Sequence, residues 1–187
     1  MSIGNKVIGL ALKISPLGEN DRLLTLLSND IGIARLAVPG ARRPKSSLSG
    51  VTPLTLLELD VIGRSSLKRV RQIKRIQTFN NIGKHIETLS AAQALTELIQ
   101  LLVATNEPIP GILDAALIHL ERLHKLTEVK DLESLHILAI SVQSCIHLLA
   151  LGGYGLPIQK CCKNGMPLEP PIGEWDWRCS LILEEGF

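Results

Sequence analysis

Aromatic side chains are scarce in this sequence, and its N-terminal part has none. Phe, Trp and Tyr make up 3% of the 187 residues, and the first aromatic residue is Phe79. Many proteins that bind single strands stack bases on aromatic side chains, at about 1–3 kcal/mol per base. Any nucleic-acid binding by residues 1–78 should therefore depend on backbone charge, with little preference for base sequence or for single strands over duplex.

Targeting signals and phosphate-binding loops are missing as well. The N-terminus does not match a signal peptide, because Lys6 and Lys13 interrupt its apolar run. The apolar stretch "LHILAISVQSCIHLLAL" (residues 135–151) contains two His and one Gln, and it predicts a buried helix rather than a membrane span. Gly-rich phosphate loops of the two common types are absent. We expect a cytoplasmic protein with no membrane partner.

The four cysteines do not form a recognisable framework. Structural zinc needs four ligands, usually supplied as closely spaced pairs. Cys161 and Cys162 are adjacent, Cys179 stands alone, and Cys145 falls inside a predicted helix. Free thiols are therefore favoured and no cofactor is expected, although Cys161, Cys162 and Cys179 stay weak candidates for metal ligands.

The histidines do not predict catalysis. His119 and His124 are five residues apart and should point to different sides of a helix, whereas His136 and His147 share a face that is otherwise apolar. Histidines in the core or at its boundary are the favoured interpretation. Since no Ser-His-Asp or Cys-His arrangement can be assembled either, we expect a protein that is not an enzyme.

Charge is divided unequally along the chain. Residues 1–80 contain thirteen Lys and Arg but five Asp and Glu, for a net charge of +8, and residues 81–187 carry −6. Such asymmetry favours two structural units, the first with an anionic partner.

The first unit, residues 1–79, is predicted to be a small β-barrel. Its five candidate strands are "KVIGLALKI", "RLLTLL", "IARLAV", "LTLLELDVI" and "LKRVRQIKRIQTF". Turn residues separate them, and five strands in under eighty residues suit a small barrel. The last segment is ambiguous, because its apolar residues recur every three positions and also fit a basic amphipathic helix. A strand is favoured, since the segment directly follows a strand and a short turn.

The second unit, residues 80–187, is predicted to be helical. Apolar stripes at helical spacing define two helices, with Thr88 or Ser90 as candidate N-caps of the first. A third helix should run from about Asp131 to Leu151 and end at the following Gly pair. The remainder, about residues 157–187, is rich in Pro and Gly and predicts an irregular Cys-containing insertion.

Basic residues in the first unit are the strongest functional signal. Three cations lie in the loop "PGARRPKSSLSG" (residues 39–50), and more lie along the fifth strand. The candidate contacts to phosphate are Arg35, Arg42, Arg43, Lys45, Lys68, Arg69, Arg71, Lys74 and Arg75. Five to eight neutralised phosphates would give a log–log salt slope of about −4 to −7 on duplex. The alternative is a solvated basic face that only keeps the protein soluble.

A long ordered stretch resembles a known family. "LGENDRLLTLLSNDIGIARLAVPGARRPKSSLSGVTPLTLLELDV" (residues 17–61) resembles the N-terminal domain of RecO, a family of bacterial recombination mediators. "AAQALTELIQLL" (91–102) and "LLALGGYGLPI" (148–158) are similar to its second domain. The resemblance implies an α+β multidomain protein, with an OB-fold barrel followed by an α-helical domain that carries a zinc-finger-like insertion in many members.

The same resemblance implies DNA repair without bond-breaking catalysis. Family members bind single- and double-stranded DNA, anneal complementary strands, and work with RecR to load RecA onto strands coated by single-stranded-DNA-binding protein (SSB). They act in the cytoplasm, at the nucleoid. Within the match, the loop cations Arg42, Arg43 and Lys45 carry over as DNA contacts, whereas Arg35 and the fifth-strand cations rest on the charge argument alone.

The chain departs from the family pattern near its cysteines. Where the family commonly has Cys-x-x-Cys-Gly, this chain reads "CCKNG", with Asn164 in place of the second cysteine, so zinc is not expected. The helical domain also ends earlier than is usual in the family. Two other classes stay open, namely a protein-binding adaptor and an RNA-binding OB module; an enzyme that uses Cys161 and Cys162 is the least favoured.

Overall fold

A computed structural model describes residues 5–63, 67–129, 133–156 and 160–167. They form five strands, a short 3-10 helix and three α-helices. The strands are β1 (Asn5–Leu17), β2 (Asp21–Ser28), β3 (Gly32–Val38), β4 (Thr55–Ile62) and β5 (Lys68–Thr78). The 3-10 helix (Asn80–Lys84) follows, and then α1 (Ile86–Leu102), α2 (Ile112–Leu126) and α3 (Ser134–Leu151).

The strands close into a barrel in the order β1-β2-β3-β5-β4. Neighbours are antiparallel except β3 and β5, which are parallel and pair only at Leu36 with Lys68 and at Ala37 with Arg69. A five-stranded Greek-key barrel of this kind is an OB fold. The predicted α+β class, with an N-terminal OB barrel followed by helices, is confirmed. The irregular insertion lies largely outside the described residues.

Alternation along β4 builds the barrel interior. Leu57, Leu59 and Val61 are buried, whereas Glu58 and Asp60 point outward and are half-buried. The interior is completed by apolar residues of all five strands and of the loop between β3 and β4. Its buried members are Ala11, Leu24, Leu26, Ala34, Leu36, Val38, Ala41, Val51, Leu57, Leu59, Val61 and Val70.

The fifth segment is a strand, as favoured, and its three-residue apolar spacing has a structural cause. The β4–β5 register shifts between Asp60 and Val61, which inserts an extra residue at Arg71. A β-bulge of this kind lets Val70 and Ile73 face the barrel interior although they are three positions apart. The three-residue step from Val70 to Ile73 is therefore produced by the bulge, whereas Ile76 is exposed.

A second core joins the barrel to the helices. Leu10, Leu12, Leu27 and Ile33 face outward from β1–β3 and belong to one buried cluster with Phe79 and the apolar faces of the helices. The cluster's buried helical members include Ala92, Leu95, Ile99, Ile112, Leu120, Leu123 and Leu148.

The backbone makes a direct connection at the same place. The Ile33 N–H donates to the Ala104 carbonyl at 3.4 Å, and the Asn106 N–H donates to the Ile33 carbonyl at 3.3 Å. The segment between α1 and α2 thus runs beside β3 at Ile33 and pairs with it as a short extra strand would. The barrel and the helices are held together by both side-chain packing and strand-like hydrogen bonds.

Neither candidate cap begins α1. The N-cap residue is His85, which makes no side-chain capping bond. Thr88 is buried inside the helix, and its hydroxyl donates to the Ile82 carbonyl at 2.7 Å and the His85 carbonyl at 3.0 Å. Ser90 also bonds backward, to the Ile86 carbonyl. The cap prediction is wrong because these hydroxyls satisfy preceding carbonyl groups instead of the first N–H groups.

The prediction of a buried third helix is also wrong. Only Ile137, Ser144 and Leu148 of α3 are buried, whereas Leu135 and Leu138 are exposed. One face of α3 packs on α1 and α2, and the opposite face is uncovered. Within the described ranges, α3 is the one helix long and apolar enough to cross a membrane, by length and composition alone. Its expected end is correct, since the Gly152 N–H bonds to the Leu148 carbonyl.

A histidine pair connects α2 to α3. His119 is buried, and its Nε2 lies 3.0 Å from Nδ1 of the exposed His147, with the rings edge to face. Next to the pair, Arg122 donates to the Gln143 side-chain oxygen at 2.7 Å. Burial, together with the charges of His147 and Arg122, lowers the pKa of His119 to about 4. His119 is therefore neutral near pH 7.

Substitution of Gly32 should test the connection between barrel and helices. Gly18 and Gly32 have φ of +60° and +62°, so alanine strains the backbone at both positions, at about 1–2 kcal/mol. A Cβ at Gly18 meets nothing within 4 Å, whereas one at Gly32 would lie 2.7 Å from the Glu107 carbonyl oxygen. We expect Gly32→Ala to lower the unfolding free energy by about 1–3 kcal/mol more than Gly18→Ala, measured by urea denaturation. Equal losses would contradict the tight approach of the α1–α2 segment.

The histidine pair predicts a loss of stability in mild acid. The unfolded chain takes up a proton at His119 below about pH 6.5, whereas the folded chain takes it up only near pH 4, so unfolding is favoured as the pH falls between these values. The contribution should reach about 1.4 kcal/mol per pH unit. We expect His119→Leu to flatten this part of the curve of unfolding free energy against pH. Parallel curves for the two proteins would show that His119 titrates normally.

Candidate nucleic-acid interface

The basic loop between β3 and β4 is held against the turn between β1 and β2. The Gly40 N–H donates to the Asp21 carboxylate at 2.8 Å, and the Arg42 N–H donates to the Asn20 carbonyl at 2.9 Å. The Arg42 guanidinium also reaches the Gly18 carbonyl at 3.2 Å. The path of the loop is therefore fixed at its beginning.

Short-range hydrogen bonds shape the rest of the loop. The Arg43 N–H bonds to the Gly40 carbonyl, the Ser46 N–H to the Arg43 carbonyl, and the Ser49 N–H to the Ser46 carbonyl. Lys45 has a φ of +61°, which is unusual for a residue other than Gly. The loop is thus a series of tight turns. Its cations Arg42, Arg43 and Lys45 are all exposed.

Arg75 of β5 lies beside the end of this loop. A Cβ on Gly50 would be 3.6 Å from the Arg75 guanidinium carbon, so the two segments are in contact. Arg75 is paired with Leu57 and therefore points to the interior face, at the rim of the barrel. The structure thus brings Arg75 to the loop that carries Arg42, Arg43 and Lys45.

The outer face of β1, β4 and β5 contains cations that are paired with carboxylates. Lys6 and Lys74 both contact Glu58, at 3.2 Å and 3.6 Å, and Arg71 contacts Asp60 at 3.0 Å. The hydrogen bond and charge of Lys6, with the charge of Lys74, hold the pKa of Glu58 below its usual value. This face is therefore partly neutralised from within the protein.

Arg35 and Lys68 lie close to each other, because Lys68 is paired with Leu36 of β3. Both line a cleft of about 730 Å³ where β3 and β5 diverge, and Asp30 also lines it. Arg69 is exposed and follows Lys68 on the opposite face of β5. Because Lys68 and Arg75 are seven residues apart on a strand with one bulge between them, about 20 Å separates them. The nine predicted contacts are therefore spread over the loop, the outer face and the cleft beside β3 and β5, and the loop residues Ser47 and Leu48 line a pocket together with Arg71 and Lys74.

Three residues that the sequence reasoning did not select belong to this arrangement. Lys6, Glu58 and Asp60 project from the same outer face, and Lys6 is directly opposite Asp60 in the β1–β4 register. The two-residue spacing of Glu58 and Asp60 in a strand was the available signal, because it places both side chains on one face. The pairing of β1 with β4 could not be read from the spacing.

The cysteines of the described residues do not assemble a zinc site. Burial raises the pKa of the Cys145 thiol, whereas the backbone N–H groups of Asn164 and Lys163 lower that of Cys161. Cys161 and Cys162 are free thiols. Within the part of the chain that the structure describes, no group of three or more His, Cys, Asp or Glu could hold a metal. Cys179 lies outside that part.

Comparisons with known proteins cover the whole chain. The family model described as recombination protein O N terminal matches residues 1–79, and the one described as recombination protein O C terminal matches residues 83–186. The DNA repair protein RecO of Prochlorococcus marinus (strain MIT 9303) is 60% identical over 187 residues, which are 100% of this chain and 70% of that protein.

More distant relatives carry the same name. The DNA repair protein RecO of Synechococcus sp. (strain CC9311) is 57% identical over 100% of this chain and 72% of its own length. That of Cyanothece sp. (strain PCC 7425) is 33% identical over 100% of this chain and 62% of its own length. With both family models matched in order on an OB barrel and its helices, the chain belongs to the RecO family of DNA repair proteins.

Proposed function

We propose that the chain binds single- and double-stranded DNA through the cations of its barrel and anneals complementary strands. One observation carries this proposal, namely that Arg42, Arg43 and Lys45 are exposed on a loop whose backbone is held by hydrogen bonds. Since the loop is already ordered, binding costs little further conformational entropy. Residues 1–79 would be the DNA-binding domain.

Annealing follows from charge neutralisation. Two complementary strands repel each other through their phosphates, and a cationic surface that contacts both reduces this repulsion. The bases can then pair without nucleotide hydrolysis, so no catalytic residue is required. The absence of aromatic residues from 1–78 favours contact with the backbone rather than with the bases.

The helices would supply the surface for protein partners. We propose that residues 80–187 form a platform for RecR and for SSB, and that the protein helps to load RecA onto SSB-coated DNA at the nucleoid in the cytoplasm. Membership of the RecO family supports this part of the proposal. The uncovered apolar residues of α3 also suit a protein contact.

Removal of the loop charges should weaken DNA binding. We expect the variant with Arg42→Ala, Arg43→Ala and Lys45→Ala to bind a 20-base-pair duplex more weakly and to reduce the log–log salt slope by about 3, since each lost phosphate contact removes about 0.9. Fluorescence anisotropy over a salt series measures both quantities. The matched control replaces Lys84, Lys160 and Lys163 by Ala, because it changes the net charge equally on exposed residues outside the barrel. Equal effects of the two triple variants would argue against a specific role for the loop.

Strand annealing gives a second prediction. At low salt, the wild-type chain should accelerate pairing of complementary 40-nucleotide strands in the absence of ATP, and the loop variant should lose most of this acceleration. Quenching between end-labelled strands follows the reaction. An acceleration that persists at high salt, or one seen only with RNA, would favour the other classes of partner.

A further inference from the structure

We propose that Glu58 and Asp60 compete with DNA for the cations of the outer barrel face. Each carboxylate binds cations that would otherwise be available to phosphate groups. This inference rests on the proposed function and extends it to the regulation of affinity. It divides the basic surface into two parts: a loop whose cations can bind phosphate directly, and a strand face whose cations are already paired with carboxylates.

The geometry places Glu58 between two lysines from different strands. Lys6 belongs to β1 and Lys74 to β5, and β4 lies between them in the barrel. One carboxylate oxygen of Glu58 contacts Lys6 and the other contacts Lys74. The lysine side chains are 78% and 75% exposed, whereas that of Glu58 is 25% exposed. The lysine side chains are therefore less confined by their neighbours than the carboxylate is.

Asp60 repeats the arrangement one step further along β4. Its carboxylate is 17% exposed and contacts the Arg71 guanidinium at 3.0 Å, and the arginine side chain is 59% exposed. Arg71 is the extra residue of the bulge in β5, beside Asp60 and Val61 of β4. Two half-buried carboxylates thus face three exposed cations.

The consequence for DNA follows from electrostatics. An exposed ion pair is weak and is screened by salt, so a phosphate can displace the carboxylate. The displaced carboxylate nevertheless remains on the strand and repels the phosphate, so each such contact contributes less than one from a free cation. Glu58 and Asp60 should therefore lower the affinity of the outer face for DNA. They should also reduce the contribution of that face to the salt dependence of binding.

The basic loop differs in this respect. Among the described residues, no carboxylate lies within ion-pair distance of Arg42, Arg43 or Lys45. Arg42 instead bonds to a neutral carbonyl group. The loop cations should bind phosphate first. The outer strand face should add contacts only when the DNA is concentrated or long enough to displace Glu58 and Asp60 from their cations.

Replacement of the carboxylate tests this division directly. We expect Glu58→Gln to bind a 20-base-pair duplex about three- to tenfold more tightly in 0.1 M salt and to steepen the salt slope by about 1–2, because one or two cations become available. The matched control is Glu128→Gln, which changes the net charge equally at an exposed residue beyond α2. Thermal unfolding of each variant checks that the fold is retained.

A double-mutant cycle shows whether the gain acts through the paired lysines. In a background with Lys6→Ala and Lys74→Ala, Glu58→Gln should change affinity no more than Glu128→Gln does. An equal gain in both backgrounds, or an equal gain from Glu128→Gln in the wild type, would overturn the inference. Unchanged affinity of Glu58→Gln would also overturn it, while the proposed function would stand if the loop variant still binds weakly. No DNA binding by the wild-type chain would overturn both.

Discussion

Side-chain alternation along β4 is the constraint on which the barrel and its charge both depend. Because β4 closes the barrel between β1 and β5, Leu57 and Leu59 must fill the interior, and the intervening Glu58 must face outward. Glu58 then lies among the outward cations of the neighbouring strands. A one-residue slip of β4 would place a carboxylate in an apolar core, so the register that builds the core also positions the ion pairs.

The helices are joined to one end of β3 and the basic loop follows the other end. Ile33, near the start of β3, bonds to the α1–α2 segment, whereas Val38 leads into the loop. Five residues of extended strand place these contacts about 17 Å apart. The contact with the helices and the basic loop are therefore separate along β3.

Much of the fold was predictable from local patterns, but its pairings were not. The alternation of β4 and the Gly pair after Leu151 predicted a strand and a helix end that the structure contains. The three-residue spacing of β5 was ambiguous because a bulge at Arg71 depends on the neighbouring strand. The exposed face of α3 and the His119–His147 contact likewise depend on which helices meet.

The candidate site shows the same division between composition and geometry. Sequence identified the cations, since charge and loop residues are local properties. It did not reveal that Arg71 and Lys74 are held by carboxylates, nor that Lys68 and Arg75 lie at opposite ends of β5.

The most direct test of charge-based binding compares dissociation constants for duplexes of equal length and different sequence across a salt series. The account predicts similar constants and a shared slope of about −4 to −7; a strong sequence preference, or an affinity that salt does not change, would contradict it.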